Sequence, residues 1–93
     1  MIQEINVNIM KTLTGVVYPQ YYNTSGAGLT TFTTPDFFET GSTVVFVDSG
    51  SGYVYQAIGV DYTENSGNQS ITFGSIQASG SLVEIRYNKL IVY

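Results

Sequence analysis

The acid–base chemistry open to this chain rests on seven carboxylates: Glu4, Asp36, Glu39, Asp48, Asp61, Glu64 and Glu84. The sequence holds no histidine and no cysteine. The most common general base is therefore missing, and Ser-His-Asp and Cys-His arrangements are excluded. Nearly all zinc sites go with them, because they need histidine or thiolate ligands. Two carboxylates can hydrolyse a glycoside, but no spacing marks a pair here. Two stretches could offer oxygens to calcium: Asp48 with Ser49 and Ser51, and Asp61 with Glu64 and Asn65. Neither has the spacing of a calcium loop. The simpler reading of Asp48 is a residue that shapes its own turn through its side-chain oxygen. The run Asp48-Ser49-Gly50-Ser51-Gly52 also lacks the lysine and following helix of a phosphate-binding loop. No metal and no cofactor are expected, and the chain is expected not to be an enzyme.

Eight tyrosines are the other residues that could recognise something. A tyrosine has an apolar face and a polar tip, which suits protein interfaces and sugars alike. Tyr18, Tyr21, Tyr22, Tyr53 and Tyr55 are expected to be the most exposed. Ordinary strand tyrosine is the first reading, interface tyrosine the second and a carbohydrate platform the third. The lack of tryptophan weakens the sugar case.

Composition narrows the partners. Charged residues make up 11% of the 93-residue chain and hydrophobic residues 43%, against about 25% charged in an average soluble domain. Such a surface is covered by small polar residues or by other subunits. The net charge is −4, and Lys11, Arg86 and Lys89 are the only basic residues. Phosphate neutralisation needs clustered Lys and Arg, so no nucleic-acid partner is expected. An anionic membrane surface is disfavoured on the same ground. No apolar run approaches the about 20 residues of a membrane-spanning helix, and Met1-Ile2-Gln3-Glu4 does not open a secretory signal. A domain of this length buries only about two thirds of its unfolded surface, so assembly is a natural source of added stability.

The elements that position these residues read as strands. Val44-Val45-Phe46-Val47 and Tyr53-Val54-Tyr55 flank the polar turn of Asp48 to Gly52, which marks a hairpin. Ile5, Val7 and Ile9 alternate with polar neighbours at period two, as a half-buried strand does. Pro19 makes the stretch Val16 to Tyr22 an edge strand or an extended arm, and Asn23 to Gly28 reads as a loop. Thr34-Pro35-Asp36 looks like a helix start, limited to one turn by Gly41, or else an irregular loop with Phe37 and Phe38 anchored in the core. Glu64 to Gln69 is a second polar turn. Ile71 and Phe73 share a strand face. Gly74 to Gly80 reads as a small-residue connection anchored by Ile76. Val83, Ile85 and Tyr87 share one face of a last strand, and Leu90 to Tyr93 is apolar on both faces. That last run lies between sheets of its own domain or under another chain. With no sustained helical period, the expected fold is all-β: a small antiparallel β-sandwich, or alternatively a small β-barrel, with an extended N-terminal arm.

From about Leu29 to Tyr87 the order of motifs resembles a small β-module of tailed-bacteriophage virion structural proteins. The pieces are TTFTTPDFF, VVFVDSGSG, GVDYT and SITFGSIQASGSLVEIRY. Asp48-Ser49-Gly50 stands where the module commonly has Asn-Gly, and the usual proline before the last strand is absent. The resemblance divides a single domain, 1–93, into an N-terminal strand and arm, 1–28, and the module, 29–93. It implies a non-enzymatic virion protein, of the tail fibre, spike, fibre-attachment or capsid-decoration type. Its partners would be other virion proteins and further copies of itself, a homo-oligomer with a trimer favoured. The residues expected at such interfaces are Ile5, Val7, Ile9, Val17, Tyr18, Tyr21, Tyr22, Leu90, Ile91, Val92 and Tyr93. A carbohydrate-binding module serving host-surface adsorption is the alternative.

Overall fold

The computed structural model describes residues 19–90. Of the expected interface residues, Ile5, Val7, Ile9, Val17, Tyr18, Ile91, Val92 and Tyr93 lie outside them, as does most of the expected N-terminal arm. The described chain is all-β. Its strands are β1 (Pro19–Ser25), β2 (Leu29–Thr33), β3 (Val44–Asp48), β4 (Tyr53–Gln56), β5 (Tyr62–Glu64), β6 (Ser70–Gln77) and β7 (Leu82–Asn88). They form two antiparallel sheets, one in the order β1-β7-β3-β4 and one in the order β2-β6-β5. The fold is a small β-sandwich.

Period-two alternation decides which side chains meet between the sheets. Val45 and Val47 of β3 and Val83, Ile85 and Tyr87 of β7 point inward from the four-stranded sheet. Phe32 of β2, Tyr62 of β5, and Ile71 and Phe73 of β6 point inward from the other. Phe32 and Phe73 meet edge-to-face at 5.5 Å between centroids, a geometry the ring quadrupole favours. Phe38, fully buried, closes the end of this core against Tyr87 at 6.2 Å.

The structure decides one open alternative and corrects two local readings of the sequence. Thr34-Pro35-Asp36 starts no helix: the Thr34 hydroxyl bonds the carbonyls of Asp36 and Gln69. The segment is an anchored loop with Phe38 buried and Phe37 exposed. Asn23 to Ser25 is not loop, because these residues continue β1 along β7. Gly74 to Gln77 is not a connection either, since it completes β6, and Ile76 is 67% exposed rather than an anchor. For Asn23 to Ser25, cross-strand pairing with β7 overrides a composition rich in Ser and Asn.

The carboxylates fasten loops. Glu64 accepts hydrogen bonds from the Gly41 and Thr43 N–H groups at 2.7 and 3.2 Å and from the Thr43 hydroxyl at 2.5 Å. Asp48 Oδ1 accepts from the N–H groups of Gly50 and Gly52 at 2.8 and 3.1 Å. It holds the β3–β4 turn as its sequence context suggests. Asp61 accepts from the Ala57 N–H at 2.7 Å, and Asn65 bonds Ser70 and Thr72. Asp61 and Glu64 thus serve different loops rather than one shared site.

Candidate interaction face

The two outward faces of the sandwich differ in chemistry. On the three-stranded sheet, Thr31 and Thr72 join hydroxyls at 3.0 Å, and the Asn65 amide reaches the hydroxyls of Ser70 and Thr72 at 2.8 and 2.9 Å. Around these residues that face is polar and satisfies its own hydrogen bonds, while Leu29 stands exposed at its end.

The face of the four-stranded sheet is aromatic. Register places Tyr21 of β1 opposite Arg86 of β7, and Arg86 opposite Val44 of β3. It places Glu84 of β7 opposite Phe46 of β3, and Phe46 opposite Tyr55 of β4. The result is a band across all four strands. The Arg86 guanidinium lies between two rings, 5.0 Å from the Tyr21 centroid and 4.8 Å from that of Phe46. The negative ring faces attract the cation, while Glu84 accepts its Nε–H at 2.5 Å. Phe46 meets Tyr55 edge-on at 6.0 Å. Arg86 therefore has its charge neutralised and its plane fixed, and the band reads as one ordered surface. Tyr21 is 64% exposed and Tyr55 58%, with Tyr53, Val44 and Leu82 also open to solvent on this face. An isolated exposed apolar residue is ordinary, but a contiguous group of this kind marks an interaction site.

Tyr21 belongs to this band, as its sequence position suggests. Tyr22 does not: the next residue along a strand points the other way, and Tyr22 packs half-buried against the core. Leu90 lies apart from both, where its N–H donates to the Phe37 carbonyl at 2.8 Å. Phe46, Val44, Glu84 and Arg86 were legible only as alternate positions of two strands. The sequence carries no signal that β1, β7, β3 and β4 would lie side by side in that order. The two perturbed phenols sit elsewhere. Burial pushes the Tyr87 phenol up to about 12, helped by its 2.7 Å bond to Asp36. Burial also raises Tyr62, whose hydroxyl donates to the Thr43 carbonyl at 2.9 Å. Both phenols hold loops to the core and neither touches the aromatic band.

Comparison with protein-family models, with curated proteins and with solved structures gave no match.

Proposed function

We propose that this chain is a non-enzymatic structural protein of a tailed-phage virion, an oligomeric assembly element of the capsid-decoration or fibre- and tail-attachment type. The observation that carries the reading is the aromatic band around Arg86 on a chain with 11% charged residues. Aromatic residues and arginine are the types enriched where protein surfaces bury each other. A carboxylate-neutralised guanidinium between two rings can enter such an interface without an unpaired charge. The order of motifs from Leu29 to Tyr87 supplies the virion context. The reading is tested by mass spectrometry of purified virions made with the native chain or with Tyr21→Ser/Tyr55→Ser. The native chain is expected in the particle, and the folded double variant is expected to be depleted from it at least tenfold. Equal incorporation of the two would show that this face is not the contact.

Carbohydrate binding on the same fold is the second reading. It is favoured by Tyr53 and Tyr55, which stand exposed on one face of an edge strand. Binding on a glycan array that is lost in Tyr53→Ala or Tyr55→Ala would support it over the first.

A further inference from the structure

The described sheets end in four edge strands, β1, β4, β2 and β5. Three of them carry a feature that discourages further pairing. β1 opens on Pro19. β2 has a shift of register between Leu29 and Thr31. β5 is flanked by the turn before it, where the Gly59 N–H donates to the Tyr62 carbonyl at 2.7 Å and Ile58 bridges to Tyr62. β4 has none of these features among the described residues. Its sequence, Tyr53-Val54-Tyr55-Gln56, holds no proline and no charge, and it pairs with β3 without a shift. Tyr53, Val54 and Tyr55 are strand-favouring types, and all three are exposed. Val54 pairs with Val47 of β3 and faces the same way. Val47 is 5% exposed and Val54 60%, so among the described residues β4 overhangs the core.

We propose that the free edge of β4 pairs with β4 of a second copy of this chain, antiparallel about a two-fold axis at Val54, and joins two four-stranded sheets into one of eight strands. The inference rests on the assembly reading above and names the edge that assembly uses. The strand is its own antiparallel complement, because Tyr-Val-Tyr reads the same in both directions. With Val54 opposite Val54 of the second copy, Tyr53 falls opposite Tyr55 of that copy and Tyr55 opposite its Tyr53. Residues directly opposite each other face the same side of a sheet. The four tyrosines therefore meet on the aromatic face and carry the band from Arg86, Phe46 and Tyr55 into the next copy. Cross-strand aromatic pairs stabilise such a junction. The two valines meet on the inner face, and each covers the other. A slip of one residue would turn the band of the second copy to the other side.

Charge and size shape this contact. Each copy carries a net charge of −4, so two copies repel wherever their acidic groups face each other. The β4 edge presents none. The carboxylates that flank it in sequence, Asp48 and Asp61, accept from the N–H groups of Gly50 and Gly52 and of Ala57. Beside the edge, a cleft of about 430 Å³ separates the β3–β4 hairpin from the end of β6. The overhang and the cleft leave room for a second sandwich to approach. Four residues a side bury far less than the about 800 Å² per partner of a stable standard interface. The pair is therefore reversible in dilute solution and is held where neighbouring contacts raise the local concentration.

The chain has no cysteine, so single engineered thiols report cleanly. In the proposed pair Val54→Cys faces its own counterpart at about 5 Å between Cα atoms, within reach of a disulfide. Gln56→Cys lies two residues along the same strand face. It stands about 14 Å from its counterpart, four residue rises along and one strand spacing across, too far to bridge. Val60→Cys, at a position 82% exposed, controls for random collision. On mild oxidation of the full chain, Val54→Cys is expected to give a disulfide-linked dimer as its main product, and the other two at least tenfold less. Equal yields, or no linked dimer from Val54→Cys, would overturn the proposal. Val54→Lys sets two like charges at the axis and is expected to halve the mass of the assembly, and an unchanged mass would also overturn it. Light scattering on the native chain separates the two levels, with an even number of chains expected at high concentration. A trimer removes the β4 pair and leaves the assembly reading standing. A monomer at every concentration removes both.

Discussion

Tyr87 ties the loop after β2 to the last strand through one phenol. Its ring is buried beside Phe38, and its hydroxyl donates to Asp36 Oδ2 at 2.7 Å, while Lys89 lies 3.5 Å from Asp36 Oδ1. The folded phenol titrates at about 12 and the unfolded one at the ordinary 10.0. Below pH 10 both states hold the proton and the stabilisation is complete. As pH rises from there the unfolded chain ionises first, so stability falls, and the contribution is gone above about 12. Urea unfolding from pH 7 to 11 is expected to show this alkaline loss, with a shallower slope in Tyr87→Phe. At pH 7 the same variant is expected to lose about 1 kcal/mol, the net worth of a hydrogen bond. Gly26 constrains the fold in another way. Its N–H donates to the Ser81 carbonyl at 2.9 Å, and a Cβ there would fall on Ser81 Oγ and the Ala78 carbonyl. Gly26→Ala must push apart the β1–β2 and β6–β7 turns. It is expected to cost about 2–3 kcal/mol, read as a lower urea midpoint. A neutral result would mean that these turns yield freely.

At the scale of elements, the β3–β4 hairpin and β7 were legible because apolar side chains alternate in them and Asp48 closes the turn through its own carboxylate. Much of β6 was not. Gly74 and Ser75 have little intrinsic strand preference, and Gly74 is held by its N–H bond to the Asp61 carbonyl at 3.0 Å. Asn23 to Ser25 likewise read as loop until β7 lies beside them. The aromatic band is a property of strand order, since Tyr21, Arg86 and Phe46 are far apart in sequence and become neighbours only when β7 sits between β1 and β3. Arg86 is the clasp of that arrangement. Each exposed cation–π contact is worth about 0.5–1 kcal/mol. Arg86→Gln is therefore expected to lower stability by about 1–2 kcal/mol, with an unchanged denaturant slope if only this contact is lost. A change in slope would place the effect in the unfolded state instead.

At the scale of the whole molecule, the order of motifs sets a boundary near Leu29, but the sheet sets it elsewhere. β1 pairs with β7 along its whole length, from Pro19 opposite Asn88 to Ser25 opposite Leu82. Seven residues of the expected arm are thus an edge strand, and one aromatic of the exposed band, Tyr21, stands on them. Among the described residues the ten of the buried core lie between Phe32 and Tyr87, with Tyr22 packed half-buried against them. Two truncations differ in what they uncover. Deleting residues 1–18 leaves the described sheets complete, and thermal melting is expected to shift by only a few degrees. Deleting residues 1–28 strips the ladder from β7, exposes Ile85 and Tyr87 beside the half-buried Tyr22 they lose, and opens a long apolar edge of the kind that aggregates. That truncation is expected to melt at least 10 °C lower or to precipitate. The shorter deletion also tests the interface expected at Ile5, Val7 and Ile9, because it removes these residues and keeps the described sheets. A folded protein in a smaller assembly is the expected product, measured by circular dichroism and light scattering together. If residues 19–93 still form the native oligomer, assembly does not need residues 1–18.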